Sequence, residues 1–561
     1  MNPDRTSPSP EPTKDAVPWW QSTSIYQVYP RSFADSDGDG IGDLPGALER
    51  LTHLLDLGVG TVWFSPFFAS PQRDIGYDVS DYRSVAPEYG TLDDAQALID
   101  HAHELGLRVL FDLVLNHTSD AHPWFVESRS SRDNPKAEWY VWHDGRTWPG
   151  GRRRPPNNWR SELQLPPGWQ WCEERQQWFL ASFLDFQPDL NWHHPEVRAE
   201  MFDMVRSWLS RGVDGFRLDI FGSIMHDAEL RPNRWKPTLR FGLPRIQDPV
   251  RTLNTVECFE LATELRAVCD EFDGDRALLG EVFGPPRVLK HYLTHRGRRG
   301  LDMIFAFDFL AAPYRAATFR KLIGRYETHY PSPRLPTLVL ENHDRTRSLS
   351  RLGGDLRKAR VMAVLLLTMR GVPVIHQGQE IGMTNRYIPL GDAIDPIPGA
   401  LAPFMPEAIN RRLPERMNRD EVRTPMQWDS SPGAGFTTAD ATPWLPVNDN
   451  HLSVNVAHAT GDPDSLLEWY RTLLELRRNH PALHAGELHL LPDAGDRDTL
   501  VAFERSTAGE RILVAANLGD ETLDVEAPEE AEMLAASNAD VTCGGGVLVL
   551  GPHSAAIVAL G

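Results

Sequence analysis

Gly215-Phe216-Arg217-Leu218-Asp219 is an apolar run that stops on a carboxylate, and two later stretches repeat the pattern. They are Leu279-Gly280-Glu281-Val282-Phe283 and Glu341-Asn342-His343-Asp344. Each reads as a buried strand that ends at an acidic residue. Carboxylates at the C-terminal ends of several different strands are how a parallel barrel assembles a catalytic site. One such motif would be explained by an Asp that caps the next helix. Three, with Arg217 and His343 as neighbours, point to chemistry.

Outward from these motifs, strand-like and helix-like segments alternate. Strands are expected at 24–30, 61–66, 108–115, 215–220, 277–283, 303–309, 336–342 and 372–376, with helices at 43–56, 92–105, 194–211 and 464–479. Eight strands in that rhythm predict an α/β fold, a (β/α)8 TIM barrel. The barrel is expected in two parts, 19–115 and 191–480. Residues 116–190, rich in Trp, Pro, Arg and Asn with little periodicity, form an inserted subdomain after strand three. A second irregular insertion runs from about 378 to 461, and 481–561 reads as a C-terminal all-β sandwich of short alternating strands. Residues 1–18 are polar and Pro-rich and are expected to be a disordered tail.

Composition excludes several function classes. The chain has 561 residues and a formal charge of −21, which disfavours nucleic-acid and anionic-membrane partners, since both select basic surfaces. No apolar run is long enough to span a bilayer. Cys172, Cys258, Cys269 and Cys543 show no CxxC spacing, so reduced thiols in a cytoplasmic protein are the simplest account. Seventeen Trp residues suit stacking on sugar rings, although most are expected in the core.

The chain resembles the α-amylase family of glycoside hydrolases (family 13), within it the α-glucosidase and oligo-1,6-glucosidase branch. The resemblance runs from about Trp19 to the C-terminus. It rests on Asp112-Leu113-Val114-Leu115-Asn116-His117, on the three carboxylate motifs, and on Gly76-Tyr77-Asp78-Val79-Ser80-Asp81-Tyr82, Gln187-Pro188-Asp189-Leu190-Asn191 and Arg423-Thr424-Pro425-Met426-Gln427-Trp428. It implies that Asp219 is the nucleophile, Glu281 the general acid/base and Asp344 the stabiliser of an oxocarbenium-like transition state. Local chemistry agrees: Arg217, two residues before Asp219 on a strand, faces the same way and is expected to hold it ionised. Apolar Val282 and Phe283 suit a proton-bearing Glu281, though Pro285 and Pro286 also fit a turn with a capping Glu.

The same resemblance assigns Asp78, Tyr77, His117, Phe183, Arg217, Ile220, His343 and Arg423 to the terminal-glucose subsite, with Asp78 and Arg423 as the pair that blocks the pocket. A closed pocket implies an exo-acting α-glucosidase that releases terminal glucose from small α-glucosides such as maltose, isomaltose or sucrose, and carboxyl groups of Asp219 and Glu281 about 5–5.5 Å apart would make it retaining. Asp35-Ser36-Asp37-Gly38-Asp39-Gly40-Ile41-Gly42-Asp43 alternates carboxylates as a hard cation requires. The resemblance places a structural Ca²⁺ (or Mg²⁺) on Asp35, Asp37, Asp39, the Ile41 carbonyl and Asp43, and an acidic turn capping the next helix is the other reading. No organic cofactor is implied, and a monomer or homodimer is expected.

Several positions depart from the branch pattern. His376-Gln377-Gly378-Gln379-Glu380 stands where Tyr-Gln-Gly-Glu-Glu is usual, and Phe221-Gly222 follows the nucleophile where Asn is common. Ile220 is β-branched and apolar, like the Val that accompanies cleavage of α-1,6 bonds, and linkage stays open between α-1,4 and α-1,6. Two alternatives remain: a transglucosidase or sucrose isomerase using the same glucosyl-enzyme, and a non-catalytic transporter-subunit relative. The second would lack the carboxylates and carry a membrane helix.

Overall fold

The computed structural model describes residues 17–162, 167–240, 243–401, 405–413, 417–491 and 497–561. The tail expected over 1–18 therefore falls outside the described residues except for its last two positions. Eight parallel strands close into a barrel: β1 (Ile25–Val28), β2 (Thr61–Phe64), β3 (Arg108–Val114), β4 (Gly215–Asp219), β5 (Ala277–Gly280), β6 (Met303–Phe305), β7 (Pro336–Val339) and β8 (Val372–His376). Neighbours in sequence are neighbours in the barrel, and β8 closes it against β1.

Alternation along these strands sorts their side chains into two populations. Ile25, Leu110, Leu279, Met303, Val339 and Val374 pack together in the lumen. Tyr26, Val62, Phe111, Phe216, Leu278 and Ile375 belong to a second cluster, beneath the outer helices. Towards the C-terminal ends of the strands the lumen turns polar, with Gln27, Asp112, Arg217 and Glu281 all buried. Charge is thus confined to one end of an otherwise hydrocarbon interior.

Several expected elements differ in extent. The strands expected to reach Phe283, Phe309 and Asn342 stop at Gly280, Phe305 and Val339, and Phe307–Leu310 turns helical. The carboxylates Glu281 and Asp344 consequently sit on loops just beyond their strands. The helix expected over 43–56 divides at Arg50 into Leu44–Glu49 and Leu51–Leu57. Its expected start holds, because the Asp43 carboxylate accepts the Gly46 N–H at 2.6 Å.

An antiparallel hairpin, Arg234–Arg240 with Leu243–Asp248, rises after β4 where no strand was expected. Within 116–190 lie a helix, Pro123–Ser130, and a three-stranded sheet of Trp142–His143, Gln177–Leu180 and Trp169–Cys172. The C-terminal region is all-β: a five-stranded and a three-stranded sheet share an apolar cluster that includes Leu513, Val525, Leu548 and Val558.

The C-terminal sheet is tied to the barrel by Arg505, buried, whose guanidinium donates to the carbonyls of Leu483 at 2.8 Å and Gly486 at 2.9 Å, and also to that of Thr368. The four cysteines are free thiols. Among the described residues no helix is long and apolar enough to cross a membrane.

Candidate active site

Arg217 is the hub. Its Nη1 donates to Asp219 Oδ1 at 2.7 Å and to both Asp112 oxygens at 2.9 Å, while Nη2 donates to Glu281 Oε2 at 2.6 Å. Three carboxylates from three adjacent strands share one guanidinium, which Trp63 overlays with its ring 5.0 Å away. Trp63 also donates its indole N–H to Asp112 at 3.2 Å.

The expectation that Arg217 holds Asp219 ionised is corrected by this sharing. Burial, followed by the charges of Glu281 and Asp112, pushes the Asp219 carboxyl well above the usual range despite Arg217. The single Arg217 guanidinium, which also serves Asp112 and Glu281, does not offset the desolvation of Asp219. Asp112 is likewise pushed up, to about 6, with burial the largest cause.

Beyond the hub lies a second charged group. Asp344 Oδ1 accepts from Arg423 Nη2 at 2.8 Å and from Arg419 Nη1 at 3.0 Å. These cations, with His343, hold Asp344 well below the usual carboxylate range although burial opposes them. Arg419 also reaches Asp74 at 3.4 Å and lies in a fork on the buried Asp395, with one arm at 2.8 Å.

The aromatic and imidazole residues stand between the two groups. Tyr77 Oη lies 2.7 Å from His343 Nε2, and Gln27 Nε2 lies 2.7 Å from His343 Nδ1. Burial pushes His343 down to about 3, so its ring is neutral. His117 is also neutral, at about 3 through burial, with Nε2 3.2 Å from the Tyr77 carbonyl and its ring 5.4 Å from that of Phe183. Ile220 closes the floor: its main-chain N–H donates to Glu281 Oε2 at 3.1 Å.

The expected pair of Asp78 and Arg423 does not form. Asp78 is fully buried and accepts from Ser70 Oγ at 2.9 Å, Asp74 N at 3.0 Å and Arg73 N at 3.2 Å, so it shapes its own loop. Arg423 instead donates to Asp344 and to the His343 carbonyl at 2.9 Å. Asp74 and Arg419 form an ion pair instead, at 3.4 Å. Each lies four residues before the residue expected, and Arg419 and Arg423 flank one short 3-10 turn, Arg419–Val422.

The acidic loop is brought together in part. Asp35, Asp37 and Asp39 each place a carboxylate oxygen within 4.8 Å of the others. Asp43 is not in that group, because its oxygens accept from Gly46 N, Ser36 N and Ser36 Oγ. The Ile41 N–H donates to Asp39 at 2.7 Å. Burial and the adjacent carboxylates push Asp39 upward. Three converging hard oxygen donors fit a Ca²⁺-type cation.

Sequence reasoning left out Asp112, Trp63, Gln27, Asp74, Asp395 and Arg419. Asp112 had a signal in the motif it opens, while its pairing with Arg217 on the adjacent strand came only with the fold. Asp395 and Arg419 come from the irregular 378–461 region, where no periodicity gives a side chain's direction.

Comparison with known proteins gives the family. A family model described as the α-amylase catalytic domain matches residues 27–486, and one for the C-terminal domain of the α-amylase SusG matches residues 500–557. The chain is 42% identical to a probable alpha-glucosidase of Rhizobium meliloti over 93% of each chain. It is 35% identical to the oligo-1,6-glucosidase of Heyndrickxia coagulans, over 96% of this chain and 99% of that one. Among solved structures, the alpha-glucosyl transfer enzyme XgtA superposes with a TM-score of 0.88 at 38% identity, over 97% of this chain and all of the other. The trehalulose synthase MutB of Pseudomonas mesoacidophila MX-45 superposes with a TM-score of 0.85 at 33% identity and the same coverage.

Proposed function

This chain belongs to the α-amylase family, and from that premise we propose that it is a retaining, exo-acting α-glucosidase acting on small α-glucosides. The observation that supports the reading is that Asp219 and Glu281 are held side by side on the two arms of the Arg217 guanidinium. Retaining glycosidases hold their two carboxyl groups roughly 5–5.5 Å apart, whereas inverting ones leave a water's width between them.

In this mechanism Asp219 Oδ attacks the anomeric carbon as Glu281 gives its proton to the departing glycosidic oxygen. The bond to that oxygen breaks and a glucosyl ester forms on Asp219. Glu281, now ionised, takes a proton from a water that attacks the same carbon, and Asp219 leaves as a carboxylate. Asp344, kept ionised by Arg419 and Arg423, faces the positive charge that develops on the ring. Asp74 and Arg419, as an ion pair, support recognition of a chain end over an internal unit.

A sugar hydroxyl that replaces this water in the second step would give transfer, the activity for which XgtA and MutB are named. Rates on maltose, isomaltose, sucrose and trehalose, with product analysis, separate the two. Free glucose as the main product supports hydrolysis, whereas rearranged or lengthened sugars with little glucose would replace it. Asp219→Asn and Glu281→Gln are each expected to abolish p-nitrophenyl α-glucoside cleavage without loss of fold.

We also propose that Asp35, Asp37 and Asp39 hold a Ca²⁺ or Mg²⁺ ion that braces their loop. A chelator is then expected to lower the melting temperature and leave kcat unchanged, and an unaltered melt would remove the ion from the account. Four free thiols support a reducing, cytoplasmic setting.

A further inference from the structure

The charge of the chain is unevenly placed. Residues 146–160 and 231–251 contain eleven Arg and Lys residues and one acidic residue, in a protein whose formal charge is −21. The fold joins these two segments. Asn157 Nδ2 donates to the Leu230 carbonyl, Asn158 Nδ2 to the Asn233 carbonyl and Trp159 Nε1 to the Arg231 carbonyl, each at 2.9 Å. Gln247 Nε2 returns to the Asn158 carbonyl at 2.7 Å. The hairpin Arg234–Arg240 with Leu243–Asp248 and the strand pair Arg146–Thr147 with Arg153–Arg154 therefore share one rim.

That rim stands beside the acid/base. The hairpin's return strand leads to Asn254, whose N–H donates to the Gly222 carbonyl at 2.9 Å and whose Nδ2 donates to the Phe283 carbonyl at 2.8 Å. Gly222 and Phe283 lie three and two residues past Asp219 and Glu281. A cavity of about 830 Å³ is lined by Asp248, Pro249 and Asn254 on one side and by Phe283 and Phe307 on the other. Glu281 protonates the leaving oxygen, so this is the side on which the leaving group sits.

The basic charge there is only partly neutralised. Asp227 pairs with Arg231 and Arg251, and Asp248 with Lys236 at 3.6 Å. Arg153 and Arg154 lie over the rings of Trp171 and Trp148. Among the described residues, the exposed Arg146, Arg152 and Arg234 form no ion pair with a carboxylate. The rim stays predominantly basic despite Asp227 and Asp248, and such an excess beside a low-dielectric cleft raises the local concentration of anionic ligands.

We propose that this rim selects α-glucosides whose leaving group is anionic, carrying a phosphate or a carboxylate, and acceptors of the same kind. The proposal rests on the glycosidase reading and names its substrate class. The test compares sucrose 6′-phosphate with sucrose and maltobionate with maltose, at low and high NaCl. The anionic member of a pair is expected to have roughly tenfold higher kcat/KM at low salt, with the ratio falling towards one at high salt.

Preference in the first pair alone assigns phosphate, and preference in the second alone assigns carboxylate. Arg152→Glu with Arg234→Glu is expected to abolish the ratio while leaving rates on the neutral sugar within about twofold. Equal kcat/KM at low salt, or a ratio untouched by charge reversal, overturns the proposal. So does charge reversal that changes sedimentation but not the ratio, which would give the surface to a second copy. No cleavage of either neutral parent would instead count against the glycosidase reading.

Discussion

The amide of Ile220 donates to the Glu281 carboxylate from a left-handed backbone, at φ 36° and ψ 39°. A β-branched residue in this region is disfavoured by about 1–2 kcal/mol, and such strain persists only where its surroundings impose it. Here it aims one N–H, one residue past the proposed nucleophile Asp219, at the proposed proton donor Glu281.

Replacing Ile220 with glycine removes the strain and lets that N–H turn away. A lost hydrogen bond to a carboxylate is worth about 1.5–3 kcal/mol, so kcat on p-nitrophenyl α-glucoside is expected to fall roughly tenfold or more. The melting temperature is expected to hold, and Ile220→Val, still β-branched, to stay near wild type. An unchanged kcat in the glycine variant would take the amide out of the mechanism.

Arg419 should dominate glucose recognition, with Asp395 acting through it. Arg419→Ala and Asp74→Ala are expected to raise KM about tenfold, since each removes a charge-assisted contact. Asp395→Asn is expected to move KM the same way, yet to add little in an Arg419→Ala background. Asp78→Asn is expected to leave KM near wild type and lower the melting temperature. Additive effects of Asp395 and Arg419 would show that they act independently.

Asp112 sets the acid limb of the pH profile. Asp219 must be ionised to attack, and the Asp112 charge is one of the terms that push its carboxyl up. Asp112→Asn deletes that repulsion and frees Arg217 Nη1, so the Asp219 carboxyl falls. The acid limb of kcat/KM is then expected to move to lower pH. Movement to higher pH would mean that Asp112 mainly orients Arg217.

Asp189 makes the fold pH-sensitive. Burial raises its carboxyl to about 7, far above its unfolded value of about 4. The folded chain thus binds more protons between these values, and this residue's contribution declines as pH rises from 4 towards 7. Asp189→Asn removes that slope. The melting temperature of the variant minus that of wild type is expected to be larger at pH 8 than at pH 5, and a constant difference would locate the pH dependence elsewhere.

The barrel was legible because strands impose a period of two, which also puts Arg217 and Asp219 on one face, whereas the register that sets Arg217 level with Asp112 came only with the fold. Loops impose no such rule. Asp74 and Asp78 lie in one turn and offer the same chemistry, and only the fold tells that Asp78 binds its own loop while Asp74 meets Arg419. Asp43 shows the same limit, since a capping Asp and a metal ligand look alike in sequence. The hairpin after β4 was hidden by Pro232, Pro237, Pro244 and Pro249, which disfavour strands in isolation.

The hydrocarbon filling beneath Arg217 makes the site a blind well. Ile25, Leu110, Leu279 and their neighbours seal the far end of the lumen. The incoming glycoside, the departing group and the water that follows must all use one mouth, in turn. Once the glucosyl ester has formed, its fate depends on how quickly the first leaving group clears that mouth. Slow clearance favours return of the same molecule at a different hydroxyl, and fast clearance favours water. The balance between hydrolysis and rearrangement is then a matter of traffic at the rim, set by residues that never touch the bond being broken.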